Sequence, residues 1–482
     1  MAHKSLYSIF YFWSFLFSLQ SIANTFFYND INSPYYITSN LVFSESDTVI
    51  FEAGATLIVS PGVDIRLKGL AYFNGGQNNP ISFLPLDSAL GWGRLYFDNF
   101  GIQSKHYYLR NVLIVDGLID SHYAFMHISH LEMKNDQDLL WDDNFIYIRK
   151  GWAEVDSSRL VGINDGEGIQ FLGASFARVS YCHFLGTPDA IELINVDQGE
   201  LLNNSFRNIS DDAIDLNHSN NTIIKNNFIS NVSDRGMEIG SENFGSSINI
   251  LIEHNIIENC NVGIIFKEGS EGTVLNNTLH NNNIAISCLE LVGGAGGSSV
   301  SVENTIFSNS QTQDLQKDLI SNIDVSYSLS NSGILSGSNN LFDEPLFVDE
   351  SIQDFSLDPY SACINNGNPY REKDLDCTIS DIGALYYHQE GQCETIDFSG
   401  VKVFPTLFSQ KAEIVYELKK EGNVVLAIFN DGGQEVATLV DAIQEKGIHK
   451  ITLKKQRSSG VYFVSLSFDN KVFGAKAIQL KN

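Results

Sequence analysis

The chain has 482 residues, 43% of them hydrophobic and 11% aromatic, which is ample material for a large core and outside the range of disordered sequences. Its formal net charge is −28, from 58 Asp and Glu against 30 Lys and Arg, so nucleic acid and anionic membrane surfaces are excluded as natural partners. Only nine prolines accompany many Asn, Ser, Gly, Ile and Phe, a composition suited to short strands and tight turns rather than to helices.

The first residues, "MAHKSLYSIFYFWSFLFSLQSIANT", place Lys4 before an apolar stretch from Leu6 to Leu19 and then the small-x-small run Ser21-Ile22-Ala23. This reads as a signal peptide over residues 1–23, and its apolar part is too short to span a bilayer. No later segment reaches transmembrane length. The expectation is a monomeric, exported, soluble chain without a membrane span. In that oxidising setting Cys363, Cys377 and Cys393 are expected to supply one disulfide, while Cys182, Cys260 and Cys288 sit in apolar runs and read as buried thiols.

From about residue 50, "FEAGATLIVSPGVDIRLKGLAYFNGGQNNPISFLP" and "GWGRLYFDNF" alternate short strands with glycine turns. The middle of the chain repeats. "EGIQF" at Glu167, "DAIEL" at Asp189, "DAIDL" at Asp212, "RGMEI" at Arg235, "VGIIF" at Val262 and "IAISC" at Ile284 start 22, 23, 23, 27 and 22 residues apart. A second series, Asn-x-apolar-x-Asn, runs between them at Asn204, Asn227, Asn255 and Asn277. This period predicts a solenoid whose turns each give two or three short strands, with inward aliphatic residues stacking into one core. Asparagines are expected at the corners, because Asn tolerates left-handed backbone angles and can bond to neighbouring backbone or to the next Asn. Leucine-rich repeats share the length but need a Leu-rich consensus and a helical half, both missing here. The fold class is therefore all-β, a parallel β-helix. From Val401 Lys becomes frequent, and alternating strands joined by Gly and Asn-Asp turns predict a small C-terminal β-sandwich.

The opening segments, with "FSLDPYSACINNGNP" and "DIGALYY" downstream, resemble the ends of right-handed parallel β-helix proteins secreted by Bacteroidetes-type bacteria, in the pectate-lyase-like and polygalacturonase-like superfamily. The likeness covers roughly residues 40–390. Val403-Phe404-Pro405, Ile428-Phe429-Asn430 with Gly433, Gly447-Ile448-His449 and Gly460-Val461-Tyr462-Phe463 resemble the type A sorting domain of the type IX secretion system. The usual Asn-Pro after the aromatic is here Pro405-Thr406. These resemblances imply a β-helix over 24–396, a sorting domain over 397–482, the type IX secretion machinery as a partner, and a chain secreted or held at the outer cell surface.

Stacked turns turn the repeat into columns. The openers are Glu167, Asp189, Asp212 and Arg235; Asp211 and Asp234 precede two of them; Gln170, Glu192, Asp215 and Glu238 follow three positions on, and Lys267 ends the next run. Carboxylates stacked at strand spacing must share a cation, hold a proton at raised pKa, or be solvated. The first two make acid/base sites, the third only decorates solenoid corners. Asp189, Asp211, Asp212, Arg235, Glu238 and Lys267 are the candidate catalytic residues.

"GTPDAIEL", "SDDAIDL", "DRGMEIGS" and "GIIFK" resemble in order the turns of polygalacturonase-like hydrolases, with Arg235 where that family has His and Ile265 where it has Arg. "GIIFKEGSEGTVLNNTL" resembles the lysine turn of the alginate lyase and chondroitinase B group, which implies Lys267 as base and Ca2+ as cofactor. That family's calcium-holding acids are matched by Glu238 and Glu253, and its Arg-His pair is replaced by "AISCLELVGG". The functional expectation is a polysaccharide-directed protein, a uronate lyase or hydrolase; the alternative is a non-catalytic adhesin or glycan-binding scaffold. No HExxH, G-x-S-x-G or P-loop pattern occurs. Trp92, Tyr107, Tyr108, Trp141 and Trp152 are candidates for stacking on sugars if exposed and for the core if not.

Overall fold

A computed structural model describes residues 25–29, 33–99, 105–135, 144–162, 166–389 and, with short gaps, 401–479. The expected signal peptide, Trp141, Cys393 and Pro405 lie outside the described residues.

A parallel β-solenoid of about 12 turns forms, with a C-terminal sheet region after it. Successive turns pair strand on strand in register. One face runs through Ile146–Arg149, Ile169–Leu172, Ile191–Ile194 and Ile214–Asn217, then the ends of Phe228–Ile239 and Ile256–Lys267, and Ile284–Leu289. Alternation explains why these segments are strands. Ile169, Phe171, Ile191, Leu193, Ile214 and Leu216 point inward and are fully buried, and the residues between them point out. Aromatic stacks add to the core, with Phe27–Phe51 and Phe51–Phe73 ring centroids 4.9 and 4.7 Å apart.

The two asparagines of each Asn-x-apolar-x-Asn unit divide the corner work. The first is buried: Asn204, Asn227, Asn255 and Asn277 form a ladder in which each Oδ1 accepts the backbone N–H one turn back, at 2.8–2.9 Å. Their Nδ2 groups donate to the carbonyls of Val179, Leu201, Ile224 and Ile252. The second, Asn208, Asn231, Asn259 or Asn281, takes positive φ, between 52° and 59°, and turns the chain.

After the last turns, Phe347–Asp349 and Asp354–Leu357 pair antiparallel and the following segment packs Cys363 and Ile382 on Ile306 and Leu329. Cys182, Cys260 and Cys288 are buried free thiols as expected; Cys363 is also free and buried, and Cys377 is disulfide-bonded. The C-terminal part is two antiparallel sheets of three and five strands with one parallel edge pair, Leu407–Phe408 on Lys471–Gln479, around a core of its own. Among the described residues no helix is long and apolar enough to cross a membrane.

Candidate functional site

The register places Gln170, Glu192, Asp215 and Glu238 directly above one another on the outward side of one face, continuing to Ile265 and Ser287. Neighbouring strands lie about 4.8 Å apart, so three carboxylates come from three consecutive turns. All three are nearly withdrawn from water, Glu192 8%, Asp215 7% and Glu238 5% exposed. Amides separate the upper two. Gln170 donates to Glu192 Oε2, and Asn217 Nδ2 donates to Glu192 Oε1 at 2.8 Å and to Asp215 Oδ2 at 2.6 Å. Asp215 Oδ1 is buried with no hydrogen-bond partner.

At the adjoining corner stand the openers. Asp189 Oδ1 accepts the backbone N–H of Asp212 at 2.9 Å, and Asp212 Oδ1 accepts that of Arg235 at 2.8 Å. Asn144 does the same for Glu167 further up the column. One oxygen of each aspartate is therefore structural, and the other is left for chemistry. Asp211 is exposed, Asp189 half-buried and Asp212 buried, so the adjacent acidic pair splits: one faces solvent and its neighbour does not. Carboxylate oxygens of Asp189, Asp211 and Asp212 all lie within 4.8 Å of one another.

Two cations close the lower end. Arg235 Nη1 sits 2.6 Å from Glu238 Oε2, 3.0 Å from Asp234 Oδ2 and 3.4 Å from Asp212 Oδ2. Lys267 Nζ pairs with Glu238 Oε1 and lies 3.8 Å from Glu242. Sequence alignment brings Lys267 to this end of the column but leaves open whether it meets solvent; it is buried, its ammonium held against Glu238.

Burial dominates the electrostatics. It drives Asp189 up to about 8 and Asp212 up to about 9, with Glu238, Asp189 and Asp211 adding to the latter and Arg235 opposing. Asp215 is pushed well above the carboxylate range and Glu192 is also raised, both by burial first. Such a group of carboxyls carries protons at neutral pH or holds a cation in their place. The geometry fits a hard divalent ion: two oxygens each about 2.3–2.6 Å from one Ca2+ lie at most about 5 Å apart.

The structure thus brings together all six candidates, Asp189, Asp211, Asp212, Arg235, Glu238 and Lys267. Glu192 and Asp215, which the repeat places in the same column as Glu238 but which are not among the six candidates, belong with them. Glu253 lies apart, paired with Lys225 on another face. Of the aromatic candidates, Trp92 and Tyr107 are core, Tyr108 is 53% exposed but stacks on His127, and Trp152 packs on Phe176.

The family described as right handed beta helix region matches residues 167–346, the stretch that contains this site. No curated protein sequence matches the chain. Among solved structures the chain is similar to the mannuronan C-5 epimerase AlgE4 A-module of Azotobacter vinelandii, at 12% identity and TM-score 0.35, covering 62% of this chain and 91% of that one. It is also similar to pectate lyase Pel9A, at 12% and 0.31, covering 73% and 96%, and to an α-1,3-glucanase catalytic domain, at 12% and 0.37, covering 62% and 69%.

Proposed function

We propose that the chain acts on a uronate-containing polysaccharide at the acidic column, as a lyase that uses a divalent cation. The observation that carries this reading is the grouping of Asp189, Asp211 and Asp212 within 4.8 Å beside a buried, partnerless Asp215 Oδ1, with Arg235 and Lys267 next to it. An acidic protein repels an acidic polymer, and a divalent cation bound by these three aspartates would offset that repulsion locally and take up the substrate carboxylate. Arg235, a quarter exposed, is placed to orient that carboxylate from the same corner. With Glu238 displaced, Lys267 is the group that takes the C5 proton beside the uronate carboxylate; the C4–O bond breaks as the C4–C5 double bond forms, and the departing sugar oxygen takes up a proton from water.

One observation favours a second reading. A carboxyl held at about 9, as Asp212 is, stays protonated at neutral pH, which a glycoside hydrolase requires of its general acid. We also read the protein as exported and delivered to the cell surface by type IX secretion, on the character of residues 1–23 and 397–482; amino-terminal sequencing of the secreted chain tests the cleavage after Ala23.

The activity test incubates the chain from residue 24 onward with a panel of uronate and neutral polysaccharides, with Ca2+ or with chelator. The ultraviolet absorbance of a new C4–C5 double bond, dependent on Ca2+ and lost in Lys267→Ala, is the expected result. Reducing ends without that absorbance would replace the lyase with the hydrolase. Saturable binding with no product would leave a glycan-binding scaffold and remove both.

A further inference from the structure

The two parts of the chain carry opposite charge. Residues 401–482 hold 12 Lys and Arg against 8 Asp and Glu, a net of +4, whereas residues 1–400 hold 18 against 50, a net of −32. They meet on the flank of the solenoid, away from the acidic column. Lys476, in the sandwich strand Lys471–Gln479, lies with Nζ 3.1 and 3.4 Å from the two carboxylate oxygens of Asp156 and donates to Ser157 Oγ at 2.7 Å. The same ammonium stands 3.4 Å from the centroid of the Tyr181 ring, and Phe463 of the neighbouring sandwich strand covers it at 5.7 Å. Its side chain is only 12% exposed.

The receiving corner is built by the solenoid itself. Ser157 and Tyr181 occupy the same corner of consecutive turns, both at positive φ, 51° and 56°. Ser157 Oγ and Ser180 Oγ each donate to one oxygen of Asp156, at 2.8 and 2.9 Å, and so aim the carboxylate outward. A carboxylate, a hydroxyl and an aromatic face converging on one point form a cage for an ammonium ion.

We propose that the C-terminal sandwich is docked on the solenoid rather than tethered to it, and that Lys476 is the anchor that seats it on Asp156, Ser157 and Tyr181. An exposed lysine pair would be worth little and would fade with salt. Here the ammonium is covered although Asp156 keeps 39% of its side chain exposed, and it is gripped by three kinds of group and backed by opposite net charge in the two parts of the chain. The sandwich therefore takes one orientation on the solenoid.

The test uses the full chain with Lys476→Asp, Asp156→Lys and the two combined, followed by small-angle scattering and by limited proteolysis between the two parts. K476D is expected to enlarge the particle and to speed cleavage about tenfold, since proteolysis tracks the open population. The reversed pair D156K/K476D is expected to return to within about twofold of the wild type. Where K476D unfolds the sandwich itself, D156N on the solenoid side is the deciding variant and is expected to open the particle in the same way. A K476D or D156N chain as compact and as resistant as the wild type overturns the proposal, as does a reversed pair that stays open.

Discussion

Asp212 shows how little of a side chain a site needs. Its Oδ1 is spent on the N–H of Arg235 and holds the corner, while Oδ2 faces Arg235 Nη1. Asp212→Asn keeps an oxygen for the backbone and loses the ionisable group, so the chain should fold while activity falls, by about 10²- to 10⁴-fold where Asp212 is the general acid of the hydrolase reading. Asp212→Ala also loses the corner and should cost a further 1–3 kcal/mol or so of stability in denaturant titration. The raised values carry a pH prediction. Asp189 and Asp212 titrate near 8 and 9 in the fold against about 4 in the unfolded chain, so the native state binds the extra protons. Their contribution is complete below about pH 4 and is lost as pH rises through 8 and 9. In chelator the melting temperature should fall from pH 5 to pH 9, and added Ca2+ should raise it most at the alkaline end. Equal slopes for the wild type and the D189N/D212N double variant would refute this account of the two carboxyls.

The elements are held by their corners as much as by their strands. Asn227 accepts from Asn204 N–H, donates to Leu201 O and passes the pattern on to Asn255, all out of contact with water. Asn227→Ala strands a donor and an acceptor in the interior and should cost roughly 2–4 kcal/mol by urea unfolding. Asn208→Gly, at an exposed corner of positive φ, should cost less than about 1 kcal/mol, because glycine accepts that backbone angle freely. The two asparagines stand in consecutive repeat units, one at the first position and one at the second, and look alike in the sequence. The spacing made the corners legible, since a period of 22–27 residues must close a turn somewhere polar. Which Asn is ladder and which is bend depends on whether its side chain points into the solenoid, and that is settled only when the turns stack. The column of Gln170, Glu192, Asp215 and Glu238 was legible for the same reason, because register alone carries one position onto the next. Lys267 was half legible: alignment places it at the end of a run, but its burial against Glu238 needs the two turns in contact.

At the scale of the molecule, a solenoid sums contacts between neighbouring turns, so its core can be read from a repeat of short apolar runs. By itself the sequence determined the all-β class, the stacking of turns, the separate C-terminal sandwich and the list of groups that share one face. Those follow from period and alternation, which are local properties of the chain. Tertiary structure alone decided that Asp211 faces water while Asp212 does not, that Asp215 keeps an oxygen without a partner, and that burial lifts these carboxyls above neutrality. It alone joined Lys476 to Asp156, 320 residues away. Desolvation and contacts between distant segments depend on what covers a group, and no pattern of neighbours along the chain contains that information.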